Sequence, residues 1–177
     1  MEDDTIKRVA IVGPECTGKS ELAEFLAGHY TTAWVNEYAR AYLDNLNRPY
    51  VESDLVKIAH GQIRMENEWL PLANRILICD TNLIVIKIWS EYKFNHCDKE
   101  IIDLMASRSY ALHLLTYIDL PWEDDPQREH PYEREKLWNI YKSEMEKSNT
   151  PFITIKGDRK ERRATAIKAI DQTLKLY

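Results

Sequence analysis

Gly13-Pro14-Glu15-Cys16-Thr17-Gly18-Lys19-Ser20 is the stretch on which the reading of this chain turns. It fits G-x-x-x-x-G-K-S/T, the phosphate-binding P-loop. Before it, Arg8 to Val12 is an apolar, β-branched run that reads as a buried strand. After it, Glu21 to His29 reads as a helix, with Leu22, Phe25 and Leu26 on one face. Strand, glycine loop and helix, in that order, are what the motif needs. Inward-turned backbone N–H groups make a concave anion site, and the helix N-terminus adds partial positive charge. Gly13 and Gly18 permit close backbone approach. The nucleotide-contact set is therefore Gly13, Glu15, Cys16, Thr17, Gly18, Lys19 and Ser20. It stops before Glu21, which belongs to the helix and is given no nucleotide contact. Lys19 is expected on the β- and γ-phosphates of ATP, and the Ser20 hydroxyl on Mg²⁺.

Working outward, five strand-like runs alternate with helical ones. The later four are Thr32–Glu37, Arg75–Asp80, Ala111–Asp119 and Pro151–Ile155. Ser53-Asp54 reads as the N-cap of a helix running to about Trp69, which Pro71 ends or bends. Leu83–Trp89 is ambiguous, with strand-like residues in a place that favours helix. Asp98–Tyr110 reads as helical. Leu137, Ile140, Tyr141 and Met145 mark an amphipathic helix, and Asp158 caps a last helix with Ile167, Ile170 and Leu174 inward. This alternation predicts an α/β fold with a parallel sheet covered on both faces. Ligands in such sheets bind beyond the carboxyl ends of the strands.

Two carboxylates stand at those ends. Asp80 closes an apolar strand and reads as a Walker-B acid opposite Ser20, with a cap for the next helix as the alternative. Glu37 closes the second strand beside Tyr38 and Arg40. It reads as a base that orients and deprotonates an attacking hydroxyl, or as a surface carboxylate paired with Arg40. Leu120–Arg134 lacks periodicity and holds three prolines, Trp122, three clustered acids and two arginines. It reads as a mobile lid at about residues 121–134. Arg128, mid-loop, is the arginine expected to close over phosphate; the alternative is a salt bridge to Glu123, Asp124 or Asp125. Arg134 is expected only to pack near the following helix. Trp89, Tyr92 and the Tyr38/Tyr42 pair are candidates to frame a flat substrate ring.

Composition narrows the classes. The 177 residues suit one domain with a real core, and 44% hydrophobic with 30% charged residues is globular composition. A net charge of −5 gives no support for a nucleic-acid face. The basic cluster Arg159–Arg163 reads as a solvated helix start. Apolar stretches such as Leu83–Ile86 are far too short to span a membrane, and the acidic N-terminus lacks a signal region. Cys16, Cys79 and Cys97 have no CxxC spacing, so the expectation is reduced thiols in the cytoplasm. Cys16 reads as filler in the loop. The five histidines show no metal-ligand spacing, and His113, inside an apolar strand, reads as a core residue.

With these residues in hand, the chain resembles the ribosylnicotinamide kinase domain of the NadR family. The resemblance covers nearly the whole chain. It rests on Gly13–Ser20, on Glu37-Tyr38-Ala39-Arg40, on Ala59-His60-Gly61-Gln62, on Ile78-Cys79-Asp80-Thr81 and on Trp122-Glu123-Asp124-Asp125-Pro126-Gln127-Arg128. It implies a P-loop kinase three-layer sandwich whose five parallel strands run 2-3-1-4-5. It also implies 5′-phosphotransfer from ATP to nicotinamide riboside. Glu37 would then be base or ribose ligand, Tyr38 and Arg40 acceptor contacts, Asp80 a metal ligand and Arg128 a lid arginine. The chain departs from the family at Asn36, where Trp is usual, at Arg64-Met65, where an aromatic is usual, and at Asp125-Pro126, where Asp-Gly is usual. The adenylyltransferase and DNA-binding domains of larger family members have no room within these residues. Three activities compete: a riboside kinase, a kinase for another nucleoside, nucleotide or metabolite, and an ATP-binding regulatory ATPase module. Each needs ATP and Mg²⁺; the first two need a small-molecule acceptor.

Overall fold

The computed structural model describes residues 6–175; the acidic N-terminal residues 1–5, with the reading made of them, lie outside the described residues. Five strands carry the fold: β1 Lys7–Val12, β2 Trp34–Val35, β3 Ile76–Asp80, β4 Leu112–Thr116 and β5 Phe152–Ile155. They form one sheet in the order β2-β3-β1-β4-β5, and every pairing between them is parallel. That is the order implied by the resemblance.

Helices cover both faces, which is why β1 is apolar on both sides from Val9 to Val12. Val9 and Ile11 pack with Leu22 and Leu26 of α1 (Lys19–Tyr30) and Ile170 of α7 (Arg159–Leu174). Ala10 and Val12 pack with Ile88 of α4 (Leu83–Phe94) and with Tyr141 and Met145 of α6 (Arg134–Lys147). Truncating a fully buried residue such as Ile11 to Ala should cost about 2–5 kcal/mol. A third cluster joins α2 (Tyr38–Asp44), α3 (Glu52–Trp69), α4 and α5 (Lys99–Ala106) through Ala39, Leu55, Ile58 and Ile101.

Several boundaries differ from the sequence reading. The first helix, expected from Glu21, already begins at Lys19, so Glu21 lies in its first turn. β2 is two residues long, not six. Beside it, the Thr32 hydroxyl donates to Ile76 O at 2.5 Å and accepts from Asn74 N at 2.8 Å, so side-chain bonds replace ladder bonds at this edge. Tyr38 to Tyr42 belongs to a helix. Ser53-Asp54 is not the cap of α3, which begins at Glu52; Asp54 sits inside and accepts the Val51 N–H at 2.9 Å. Pro71 does end that helix, in a 3₁₀ turn at Leu70–Leu72. Leu83–Trp89 is helical, and α5 stops at Ala106. No helix among the described residues is long and apolar enough to cross a membrane.

Candidate active site

The phosphate loop turns out of β1 against β4. Gly13 has φ +144, and a Cβ there would lie 2.4 Å from Thr116 Oγ1 and 2.9 Å from Thr116 O. Glycine is therefore required at Gly13 for both angle and space. Cys16 and Gly18 also have positive φ, at 55 and 76. Thr17 is buried and braces the loop: its hydroxyl donates to Pro14 O at 2.8 Å and meets the Thr116 hydroxyl at 2.7 Å. Lys19 Nζ donates to Pro14 O at 2.8 Å, which folds the ammonium back over the loop.

Parallel pairing of β1 with β3 sets Asp80 beside the start of α1. Ser20 Oγ donates to Asp80 Oδ2 at 2.5 Å. Asp80 Oδ1 is buried and has no hydrogen-bond partner among the described residues. Burial raises the Asp80 carboxyl above the ordinary range, against the Ser20 hydrogen bond and the Lys19 charge. The cap of α4 is Asn82, which accepts from Ile84 N at 3.0 Å; Asp80 does not cap it. A hydroxyl and a carboxylate with a spare buried oxygen are hard donors that fit Mg²⁺, which takes one or two protein ligands and otherwise water and phosphate oxygens. No cluster of three His, Cys, Asp or Glu side chains that could hold a metal occurs among the described residues.

The phosphate loop, with Lys19 and Ser20, borders a cavity of about 300 Å³. Glu37, at the N-terminus of α2, forms part of its wall. Burial raises the Glu37 carboxyl above the ordinary range; Lys19 and Arg40 act to lower it, and Asp80 and Glu15 to raise it. Arg40 also borders the cavity, but its Nη1 pairs with Asp125 of the 121–134 segment at 2.9 Å, not with Glu37. Ile88, Trp89, Leu137 and Tyr141 supply an apolar side. Glu21 reaches the edge of the cavity, but its carboxylate is taken up by α7, pairing with Arg163 and, at 3.6 Å, with Arg159.

The 121–134 segment lies over the loop and is tied to it by side chains. The Glu15 carboxylate accepts Glu129 N at 3.0 Å and His130 N at 3.2 Å. Cys16 Sγ accepts Glu123 N at 3.1 Å and Arg128 Nη1 at 3.3 Å. Arg128 also donates to Glu123 O, so its contact with Glu123 is through the backbone rather than an ion pair. Arg134, expected only to pack, donates to Leu120 O at 2.9 Å and Cys16 O at 3.0 Å.

Lys19, Ser20, Glu37, Arg40 and Arg128 thus border one cavity, and Asp80 is bonded to Ser20. Tyr38 is set apart: its N–H donates to Gln62 Oε1 at 2.9 Å, and its ring lies over Gly61, where a Cβ would come within 2.0 Å of Cε1. Of the ring-framing candidates, Trp89 reaches the cavity, whereas Tyr92 packs edge-on to His130 and Tyr42 donates to Asp54 at 2.8 Å. Asn36 and Arg64 are exposed and do not border the cavity. Sequence reasoning missed Tyr141 and Arg162. Tyr141 was concealed by ordinary helical periodicity. Arg162 was read as solvated, yet it is 5% exposed and donates to Thr17 O at 2.8 Å.

Sheet order, phosphate loop and strand-end acid together define an α/β protein of the P-loop kinase type. The chain belongs to the AAA domain family, whose match spans residues 8–162. It is 25% identical over 162 residues to the trifunctional NAD biosynthesis/regulator protein NadR of Escherichia coli (strain K12), covering 86% of this chain and 39% of that protein. Its Salmonella typhimurium counterpart is 26% identical, with 85% and 38% covered. The chain therefore spans about two fifths of the curated relatives it matches. Among solved structures, a NadR protein in complex with NR superposes with a TM-score of 0.82 at 19% identity, over 97% of this chain and 52% of that one. A thymidylate kinase from Candida albicans gives 0.68 at 14% identity, over 97% and 93%.

Proposed function

We propose that this chain is an ATP-dependent kinase that transfers the γ-phosphate to a riboside hydroxyl, nicotinamide riboside first among acceptors, giving nicotinamide mononucleotide. The single observation that carries this reading is the common cavity of Lys19, Glu37 and Arg128 above the phosphate loop. The similarity to NadR proteins supports the choice of acceptor.

In this reading the loop amides and Lys19 hold the polyphosphate, and Lys19 offsets charge developing during transfer. Glu37 accepts the proton of the acceptor hydroxyl as that oxygen attacks the γ-phosphorus in line; the bond from phosphorus to the bridging oxygen breaks and ADP leaves. Its raised pKa suits a group that must take up a proton. Arg40 and Tyr38 position the acceptor, Tyr38 through the backbone it shares with Glu37. Arg128 brings charge from the lid at 121–134, and the Arg40–Asp125 pair holds that lid down. Ser20 and Asp80 would hold Mg²⁺, which supplies charge neutralisation on the phosphates when bound. The chain works as one P-loop domain, in the cytoplasm, on a small-molecule acceptor, without nucleic acid or membrane.

A second acceptor class is favoured by one observation. Asn36 and Arg64 lie outside the cavity, while Trp89 and Tyr141 border it. That wall accepts flat rings in general, so a base other than nicotinamide can rest on it as well. Incubation with Mg-ATP and a panel of ribosides and nucleotides, read as phosphorylated product by mass, separates the two. Product from nicotinamide riboside alone supports the first and product from another acceptor the second; no acceptor-dependent product from the wild type, with Lys19→Ala as the inactive control, sinks both.

A further inference from the structure

Arg162 occupies the first turn of α7, where a cation faces the positive end of the helix dipole. The helix dipole gives no reason for it there. Its surroundings do. The guanidinium is almost fully buried, at 5% exposure. Nε donates to Gly157 O at 2.9 Å, Nη1 to Thr17 O at 2.8 Å and Nη2 to Tyr117 O at 2.9 Å; Nη2 also meets the Asp119 carboxylate. Asp119 is itself oriented, accepting Gly157 N at 2.6 Å. Four acceptors from three segments thus converge on one rigid planar fork, an arrangement that a lysine ammonium cannot reproduce.

One of those acceptors belongs to the phosphate loop. In a trans peptide the carbonyl of one residue and the N–H of the next lie in one plane and point in opposite directions. The peptide bonds of the described residues contain no cis form. Holding Thr17 O on Arg162 therefore turns the Gly18 N–H away from Arg162. Gly18 borders the cavity and Arg162 does not. The other end of Thr17 is held by the Thr116 hydroxyl at 2.7 Å. Thr17 is held from β4 through its hydroxyl and from α7 through its carbonyl, and the Gly18 N–H is directed to the side of the anion-binding concavity.

We infer that Arg162 is a positioning residue for the phosphate loop: through the Thr17 carbonyl it sets the Gly18 amide toward bound polyphosphate. This rests on the kinase reading above but assigns a function to a residue outside the cavity. It also explains why the first turn of α7 is so firmly built, with Asp158 and Glu161 exchanging N–H bonds at 2.8 Å each.

The test is steady-state kinetics and direct Mg-ATP binding for wild type, Arg162→Lys and Asp119→Asn, with melting temperatures measured alongside. Loss of well-placed hydrogen bonds should raise the KM and Kd for ATP about ten-fold in Arg162→Lys and about three-fold in Asp119→Asn. The acceptor KM should stay unchanged in both. Should Arg162→Lys fail to fold, Asp119→Asn decides, because it loosens the guanidinium without removing it. Variants that melt earlier yet keep the wild-type KM for ATP overturn the role, as does an equal rise in both KM values. Wild type without saturable Mg-ATP binding overturns the kinase reading, and this inference with it; wild-type binding with unaffected variants overturns this inference alone.

Discussion

Ser20 and Asp80, sixty positions apart, are joined by a hydrogen bond of 2.5 Å from the Ser20 hydroxyl to Asp80 Oδ2, with Asp80 Oδ1 left buried and unpartnered among the described residues. An acid held this way has one oxygen in reserve. Asp80→Asn keeps the shape and halves the oxygen donors. The Mg²⁺ concentration for half-maximal transfer should rise by about ten-fold or more. A metal titration that superposes on wild type would remove Asp80 from the metal site.

Glu37 has a carboxyl raised by burial above its ordinary value of 4.5, with Lys19 opposing and Asp80 reinforcing. In the proposed reaction it works deprotonated. The rate should therefore climb with pH through a midpoint above 4.5 and level off once the carboxylate forms. Glu37→Gln should abolish that limb and lower kcat by roughly 10²–10⁴, with ATP binding nearly intact. Normal turnover in this variant would refute the base assignment.

Gly61 and Gly28 make a paired test of packing. Both are helical glycines, where alanine ordinarily stabilises by about 0.5–1 kcal/mol. Nothing lies within 4 Å of a Cβ on Gly28, so Gly28→Ala should raise the melting temperature. A Cβ on Gly61 would sit 2.0 Å from Tyr38 Cε1. Gly61→Ala should instead destabilise by about 1–3 kcal/mol and displace the segment that carries Glu37. A rise in melting temperature for both variants would show that Tyr38 moves freely.

His113 is 2% exposed, with Nε2 at 3.0 Å from Asn82 Nδ2 and Nδ1 without a partner among the described residues. Burial lowers its pKa from 6.5 to about 4. The unfolded chain takes up this proton near 6.5 and the folded chain only near 4. Stability from the neutral ring is thus complete above 6.5 and falls as pH drops towards 4, by about 3 kcal/mol in all. In urea unfolding at pH 7 and pH 5, His113→Gln should show a smaller difference than wild type. An equal difference would place the acid sensitivity elsewhere.

Much of this architecture was legible because the signals were local. Val9 to Val12 could only be a strand buried on both faces, and the glycine spacing after it had one geometry to satisfy. The misreadings had tertiary causes. β2 is short because the Thr32 hydroxyl bonds Ile76 O and the Asn74 backbone amide at one end and α2 begins at Tyr38 just past the other, which no pattern of hydrophobicity records. Asp54 looked like a cap by type, yet Arg48, at 2.7 Å, Tyr42 and the Val51 amide claim it. Arg159–Arg163 looked uniformly solvated; Arg162 alone of them is buried, because its acceptors lie beyond β4, on the phosphate loop and in the turn before α7, while Arg159 and Arg163 hold Glu21.

By itself the sequence determined the strand–loop–helix nucleus, the alternation that forces a parallel sheet, and the residue types at the strand ends. Those follow from short-range sterics and from periodicity, both written along the chain. Only the tertiary structure decided which partners those residues meet: Arg40 with Asp125, Cys16 with the 121–134 segment, Tyr141 with the cavity, Arg162 with Thr17. Contacts between residues so far apart in the chain depend on sheet order and helix packing, and charge or polarity alone leaves their pairing open.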